Sequence, residues 1–164
     1  MNENKTQNSL ANILLVDDHP GNLRLLYTML SRRGYQPRGV ISGKMALKVA
    51  QKNPPDLILL DIMMPDMDGY QVCQQLKIDE RTREIPIIFI SAKGETIDKV
   101  NAFRVGGVDY ITKPFQVEEV LARIENHLTL DKLRKQLQEQ NTILQQEIIS
   151  RQRAEAALEK SNQE

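Results

Sequence analysis

Continuous apolar runs constrain this chain most: "NILLVDD" (12–18), "DLILLD" (56–61) and "IPIIFIS" (85–91). None alternates between apolar and polar residues. Such runs fit strands buried on both faces, which belong to parallel sheets covered by helices on both sides. Each ends on a polar residue, and burying a lone carboxylate such as Asp61 costs several kcal/mol unless something pairs with it.

Helical patterns separate the runs. "PGNLRLLYTMLSRRG" (20–34) has apolar residues at 23, 26, 27 and 30. Pro20 near its start and Gly34 at its end give the asymmetry expected of a helix. Residues 42–53 form a second helical pattern with Ser42 as N-cap. Further helices are expected at 68–79, at 96–107, and from Gln116 onward. Weaker strands at 35–40 and 108–113 complete five βα units. The expected fold is α/β: a doubly wound, five-stranded parallel sheet of the flavodoxin-like kind, with a long C-terminal helical extension.

The chain divides near residue 127. The last proline is Pro114 and the last aromatic residue is Phe115. Residues 128–164 are rich in Gln, Glu, Lys, Arg, Leu and Ala, good helix formers that cannot build a globular core. The expected organisation is a disordered N-terminus (1–9), an α/β domain (10–127) and a helical coiled-coil linker (128–164).

Charge and cysteine content narrow the function classes. The 164 residues carry 22 basic and 22 acidic side chains, so bulk attraction to nucleic acid or an anionic membrane has no support. A single cysteine, Cys73, excludes an internal disulfide and fits a reducing compartment; its place in a helical pattern fits packing. No apolar run approaches the roughly 20 residues of a membrane span, and "MNENKTQNSLAN" lacks the apolar stretch of a signal peptide. A cytoplasmic protein is expected.

In a doubly wound sheet the site lies at the carboxyl ends of the strands. There stand Asp17 and Asp18, Asp61, Ser91 and Lys113. Three converging carboxylates repel unless a cation neutralises them. Oxygen-rich, half-open acidic sites with no His or Cys ligand suit Mg²⁺, which keeps several waters. One carboxylate can then attack a phosphoryl group, with Mg²⁺ and Lys113 offsetting the charge on its oxygens and Ser91 donating a hydrogen bond. His19 follows the acid pair at a loop position, where a solvated histidine is expected and tuning of the site is the alternative. "PDMDG" departs from a calcium loop, because Met64 and Gln75 stand where acids are required. No dinucleotide or P-loop glycine motif is present, and the three acids would repel a flavin phosphate.

Residues 10–128 resemble a response-regulator receiver domain of two-component signalling. The resemblance rests on "LLVDDHP", "LLDIMMPDMDG", "IFISA" and "DYITKPF". It implies that Asp61 is the phosphoacceptor and that Asp17, Asp18, Asp61 and the backbone carbonyl of Met63 hold Mg²⁺. It implies that Ser91 and Lys113 grip the phosphoryl group, that Lys113–Pro114 is a cis peptide, and that Tyr110 with Ser91 forms the switch. Met63 and Lys93 flank the site and bear on the lifetime of the phosphoryl group. The implied partner is a sensor histidine kinase or phosphotransfer protein, and the module is not itself an enzyme. The alternative is a scaffold domain that docks partners without phosphorylation.

Within the tail, Leu130, Leu137, Leu144 and Leu158 fall at multiples of seven. With these at d, position a holds Arg134, Asn141, Ile148 and Glu155. An Asn at a sets register in parallel two-stranded coils, so a homodimer through residues 130–158 is expected. The helix from Gln116 is expected to bury Val117, Leu121, Ile124 and Leu128. It should run about 45 residues, roughly 65–70 Å. "EIISRQRAEAALEKSNQE" resembles linkers that join modules in sensor proteins, which implies an output module after Glu164.

Overall fold

A computed structural model describes residues 11–92 and 98–163. The expected N-terminal disorder, Lys93 and the start of the fourth helix at 96–97 lie outside the described residues. The chain divides into two units, Met1–Leu128 and Thr129–Glu164.

The first unit alternates strand and helix: β1 (Asn12–Val16), α1 (Pro20–Arg32), β2 (Gln36–Val40), α2 (Gly43–Lys52), β3 (Leu57–Asp61), α3 (Gly69–Ile78), β4 (Ile87–Ser91), α4 (Lys99–Arg104), β5 (Asp109–Thr112) and the start of α5 (Val117–Asn162). The sheet order is β2-β1-β3-β4-β5, with every neighbouring pair parallel. All five residues of β3 and of β4 are buried. Side chains alternate across a strand, so the central strands feed two cores. Leu14, Val16, Ile58, Leu60, Ile87 and Phe89 pack on one face with residues of α2 and α3. Ile13, Leu15, Leu57, Leu59, Ile88 and Ile90 pack on the other with residues of α1 and α5.

Local chemistry sets the helix ends. The N–H of Gly34 donates to the Ser31 carbonyl and that of Tyr35 to the Leu30 carbonyl. This pairing requires a left-handed residue after the helix, and Gly34 supplies it at φ 90°. Ser42 Oγ accepts from the Met45 N–H at the start of α2. Asp68 and Gln71 form a reciprocal capping box at the start of α3.

The strands are shorter than their apolar runs suggest. Asp17 and Asp18 lie just beyond β1, Lys113 lies just beyond β5, and β4 begins only after Pro86, which has no N–H for the ladder. In α5 the expected burial of Val117 is incorrect: its side chain is 45% exposed and Val120 is buried in its place, whereas Leu121 and Ile124 are buried as expected. Leu128 packs partly against the same core. The buried stripe is therefore 120, 121, 124 and 128, which differs from the expected one only at its first position. Cys73 is buried as expected, its thiol donating to the Val105 carbonyl.

The second unit is helical as far as Asn162. Leu130, Leu137, Leu144, Ile148 and Leu158 are all exposed along it. So are Leu133, Ile143 and Ile149, which lie outside the a and d positions. Among the described residues, no helix is long and apolar enough to cross a membrane.

Candidate functional site

The carboxyl edge of the sheet collects the expected polar residues. Asp17 follows β1, its N–H bonded to the Val40 carbonyl at the end of β2. Asp61 ends β3 beside Ile90 of β4. Ser91 ends β4, and its carbonyl accepts from the Lys113 N–H at 2.8 Å. Backbone pairing thus delivers these residues to one rim without help from their side chains. The Lys113–Pro114 peptide is cis.

Lys113 joins the acids. Its Nζ lies 3.2 Å from Asp17 Oδ2 and 3.6 Å from Asp61 Oδ2. Asp17 is completely buried and takes two further donors, the His19 N–H at 2.8 Å and Asn22 Nδ2 at 3.2 Å. Asp61 is 2% exposed. Its carboxyl is pushed up to about 6, first by burial and then by the charge of Asp17; Lys113 and the Met63 N–H pull the other way. Lys113 thus opposes the burial and the neighbouring acids without cancelling them.

Two oxygens are left over. Ser91 Oγ and Asp18 Oδ1 are both buried and lack a hydrogen-bond partner among the described residues. A buried orphan oxygen costs about 1–3 kcal/mol, so both are suited to something that enters the site. Ligand atoms of Asp17, Asp18, His19 and Asp61 all lie within 4.8 Å of one another. This arrangement fits a divalent cation: hard oxygen donors, excess negative charge and an unsatisfied carboxylate oxygen.

The loop after β3 depends on a glycine. A Cβ on Gly69 would lie 2.5 Å from the Asp61 carbonyl oxygen and 2.9 Å from Ile62 Cα. Gly69 closes that loop through its N–H to the Ile62 carbonyl, which keeps the backbone of Asp61 against the start of α3. Met63 is exposed on this loop. Tyr110 is half-buried, with Lys99 Nζ 5.1 Å from its ring centroid.

Three features escaped the sequence. His19 is exposed, as a solvated loop residue would be, but it stands at the N-cap of α1 with its imidazole Nδ1 3.0 Å from Asp18 Oδ1. Asn22 reaches Asp17 from the first turn of α1, a position that no motif marks. Asp109 binds both Arg123 Nη1 and His127 Nε2, tying β5 to α5. The two α5 residues are four apart, and that helical spacing was the available signal.

Comparison with known proteins follows this geometry. The profile of the response regulator receiver domain matches residues 13–125. The chain is 43% identical over 115 residues to the DNA-binding dual master transcriptional regulator RpaA of a Synechocystis species, covering 70% of this chain and 48% of RpaA. It is 40% identical over 128 residues to the response regulator PleD of Caulobacter vibrioides, covering 76% of this chain and 28% of PleD. The chain thus spans about half the length of one relative and under a third of the other. The crystal structure of the N-terminal domain of a response regulator receiver protein from Methanoculleus marisnigri superposes with a TM-score of 0.60 at 41% identity, covering 72% of this chain and 96% of that one.

Proposed function

The chain belongs to the response regulator receiver domain family, and on that premise we propose that Asp61 is its phosphoacceptor and that the tail passes the phosphorylation state onward. The observation that carries the reading is the placement of Asp61. It is buried, it lies 3.6 Å from Lys113, and its site holds the orphan Ser91 hydroxyl.

The chemistry is phosphoryl transfer. An Asp61 carboxylate oxygen attacks phosphorus in line with the leaving group, the imidazole nitrogen of a phosphohistidine on a sensor histidine kinase or phosphotransfer protein. The O–P bond forms as the N–P bond breaks, and the electron pair leaves with the imidazole. Asp17, Asp18, Asp61 and the Met63 carbonyl would hold Mg²⁺, which supplies positive charge against the phosphoryl oxygens. Lys113 neutralises charge on the acyl phosphate from the other side. Ser91 Oγ donates to a phosphoryl oxygen, which satisfies its buried hydroxyl.

Relay uses the same groups. The phosphoryl group adds nearly two negative charges. Ser91 moves toward it, and Tyr110 turns into the vacated space, which alters the face formed by α4, β5 and α5. Two tails pair in parallel through residues 130–158, with Asn141 meeting its symmetry mate, and carry the change to an output module in a cytoplasmic protein. The exposed leucines at 130, 137, 144 and 158 support this pairing.

Incubation with acetyl phosphate tests the reading. Incorporation should require Mg²⁺ and should vanish in Asp61→Asn. A wild-type protein that takes no phosphate with Mg²⁺ present would instead support the scaffold alternative.

A further inference from the structure

The backbone of His19 serves the N-cap of α1, but its side chain has no structural duty in its observed position. Its side chain makes no capping hydrogen bond to α1. The backbone N–H, not the imidazole, serves Asp17. The side chain is 69% exposed, so it is not held by packing. Yet Nδ1 lies 3.0 Å from Asp18 Oδ1 and 3.4 Å from Asp17 Oδ1.

The contact with Asp18 is informative because it is not a hydrogen bond. Asp18 Oδ1 is buried and has no hydrogen-bond partner among the described residues, although the imidazole nitrogen is within reach. Two lone-pair atoms that close repel unless a proton or a cation lies between them. No hydrogen bond joins them, and a protonated imidazole would meet the carboxylate only as an ion pair. The separation does suit a shared cation: two ligands about 2.1 Å from one ion, at a right angle, stand about 3 Å apart.

We infer that His19 is a nitrogen ligand of the divalent cation held by Asp17, Asp18 and Asp61, and that it tilts the site from Mg²⁺ toward borderline first-row ions. This rests on the reading above that the acid cluster holds a divalent cation. Carboxylate oxygens alone suit hard Mg²⁺, whereas imidazole suits the ions toward nickel, copper and zinc. One nitrogen in an otherwise oxygen set raises affinity for those ions and leaves Mg²⁺ affinity nearly unchanged. Phosphoryl transfer to Asp61 from its donor would then be supported by whichever of these ions the surroundings supply, and this histidine would bias the choice.

His19→Ala is a clean perturbation, because the backbone N–H to Asp17 survives it and no cap bond is lost. Pulsed electron paramagnetic resonance of the Mn²⁺-loaded protein should show nitrogen modulation in the wild type. That modulation should be absent from both His19→Ala and Asp18→Asn, the second control excluding a separate site at His127. Calorimetric titration should show Ni²⁺ affinity falling about tenfold or more in His19→Ala, the scale of loss when a group supporting a metal is removed, with Mg²⁺ affinity changed less than about twofold. Bound Mn²⁺ without nitrogen modulation, or equal losses for Ni²⁺ and Mg²⁺, would overturn the assignment. Failure of the wild type to bind any of the three ions would overturn the cation reading beneath it.

Discussion

Replacing Asp61 by asparagine should make the metal-free protein more stable at neutral pH. The carboxyl is pushed up from 3.8 to about 6 in the folded state. Between those values the folded protein binds the proton that the unfolded chain releases, so stability falls as pH rises from about 4 to about 6. Above about 6 the loss is complete and constant. At 1.36 kcal/mol per pH unit it amounts to about 3 kcal/mol. Burial is the largest cause of the shift; the charges of Asp17 and Asp18 add to it, and Lys113 with the Met63 N–H opposes it. Asparagine keeps the shape and the acceptor for the Met63 N–H but carries no charge. Urea denaturation in EDTA, followed by tyrosine fluorescence, isolates the receiver because the tail has no aromatic residue. At pH 7.5 Asp61→Asn should exceed the wild type by up to about 3 kcal/mol, and the gap should close toward pH 4. Added Mg²⁺ should narrow it by stabilising the wild type. Equal stability of the two proteins at pH 7.5 without metal would refute the reasoning.

Gly69→Ala should cost about 1–3 kcal/mol, because its Cβ meets backbone that cannot swing aside; thermal melts read the loss, and the displaced Asp61 should also accept less phosphate. Arg123→Ala should cost about 1 kcal/mol at pH 7, since the arginine is partly exposed. That deficit should shrink in acid, because hydrogen bonds from His127 and Arg123 outweigh burial and hold the Asp109 carboxyl below its usual range, so its stabilisation is lost only as pH falls through that lowered value. Sedimentation equilibrium of the full chain against one cut after Leu128 should show a dimer for the first and a monomer for the second; equal association would place the contact in the receiver.

Much of the fold was legible because β3 and β4 are buried on both faces, which leaves an unbroken apolar run as their signature. The rim followed from topology: parallel strands all point their carboxyl ends one way, so Asp17, Asp61, Ser91 and Lys113 had to converge. What escaped was set by tertiary packing. Val117 and Val120 both lie on apolar spacings of α5, and only the seating of the helix on the sheet decides which is buried. The nearness of the His19 ring to Asp18 depends on the turn before α1, which no sequence pattern marks. The Asp109 pairings join residues 14 and 18 apart, beyond local pattern.

Borohydride reduction of the protein treated with acetyl phosphate and Mg²⁺ tests the central claim most directly. An acyl phosphate on aspartate is reduced to homoserine, and peptide mass spectrometry locates the altered residue. Homoserine should be found at position 61 alone, and none should form without Mg²⁺. Homoserine at position 17 or 18, or none at position 61 in protein that has taken up phosphate, would contradict the assignment of Asp61 as phosphoacceptor.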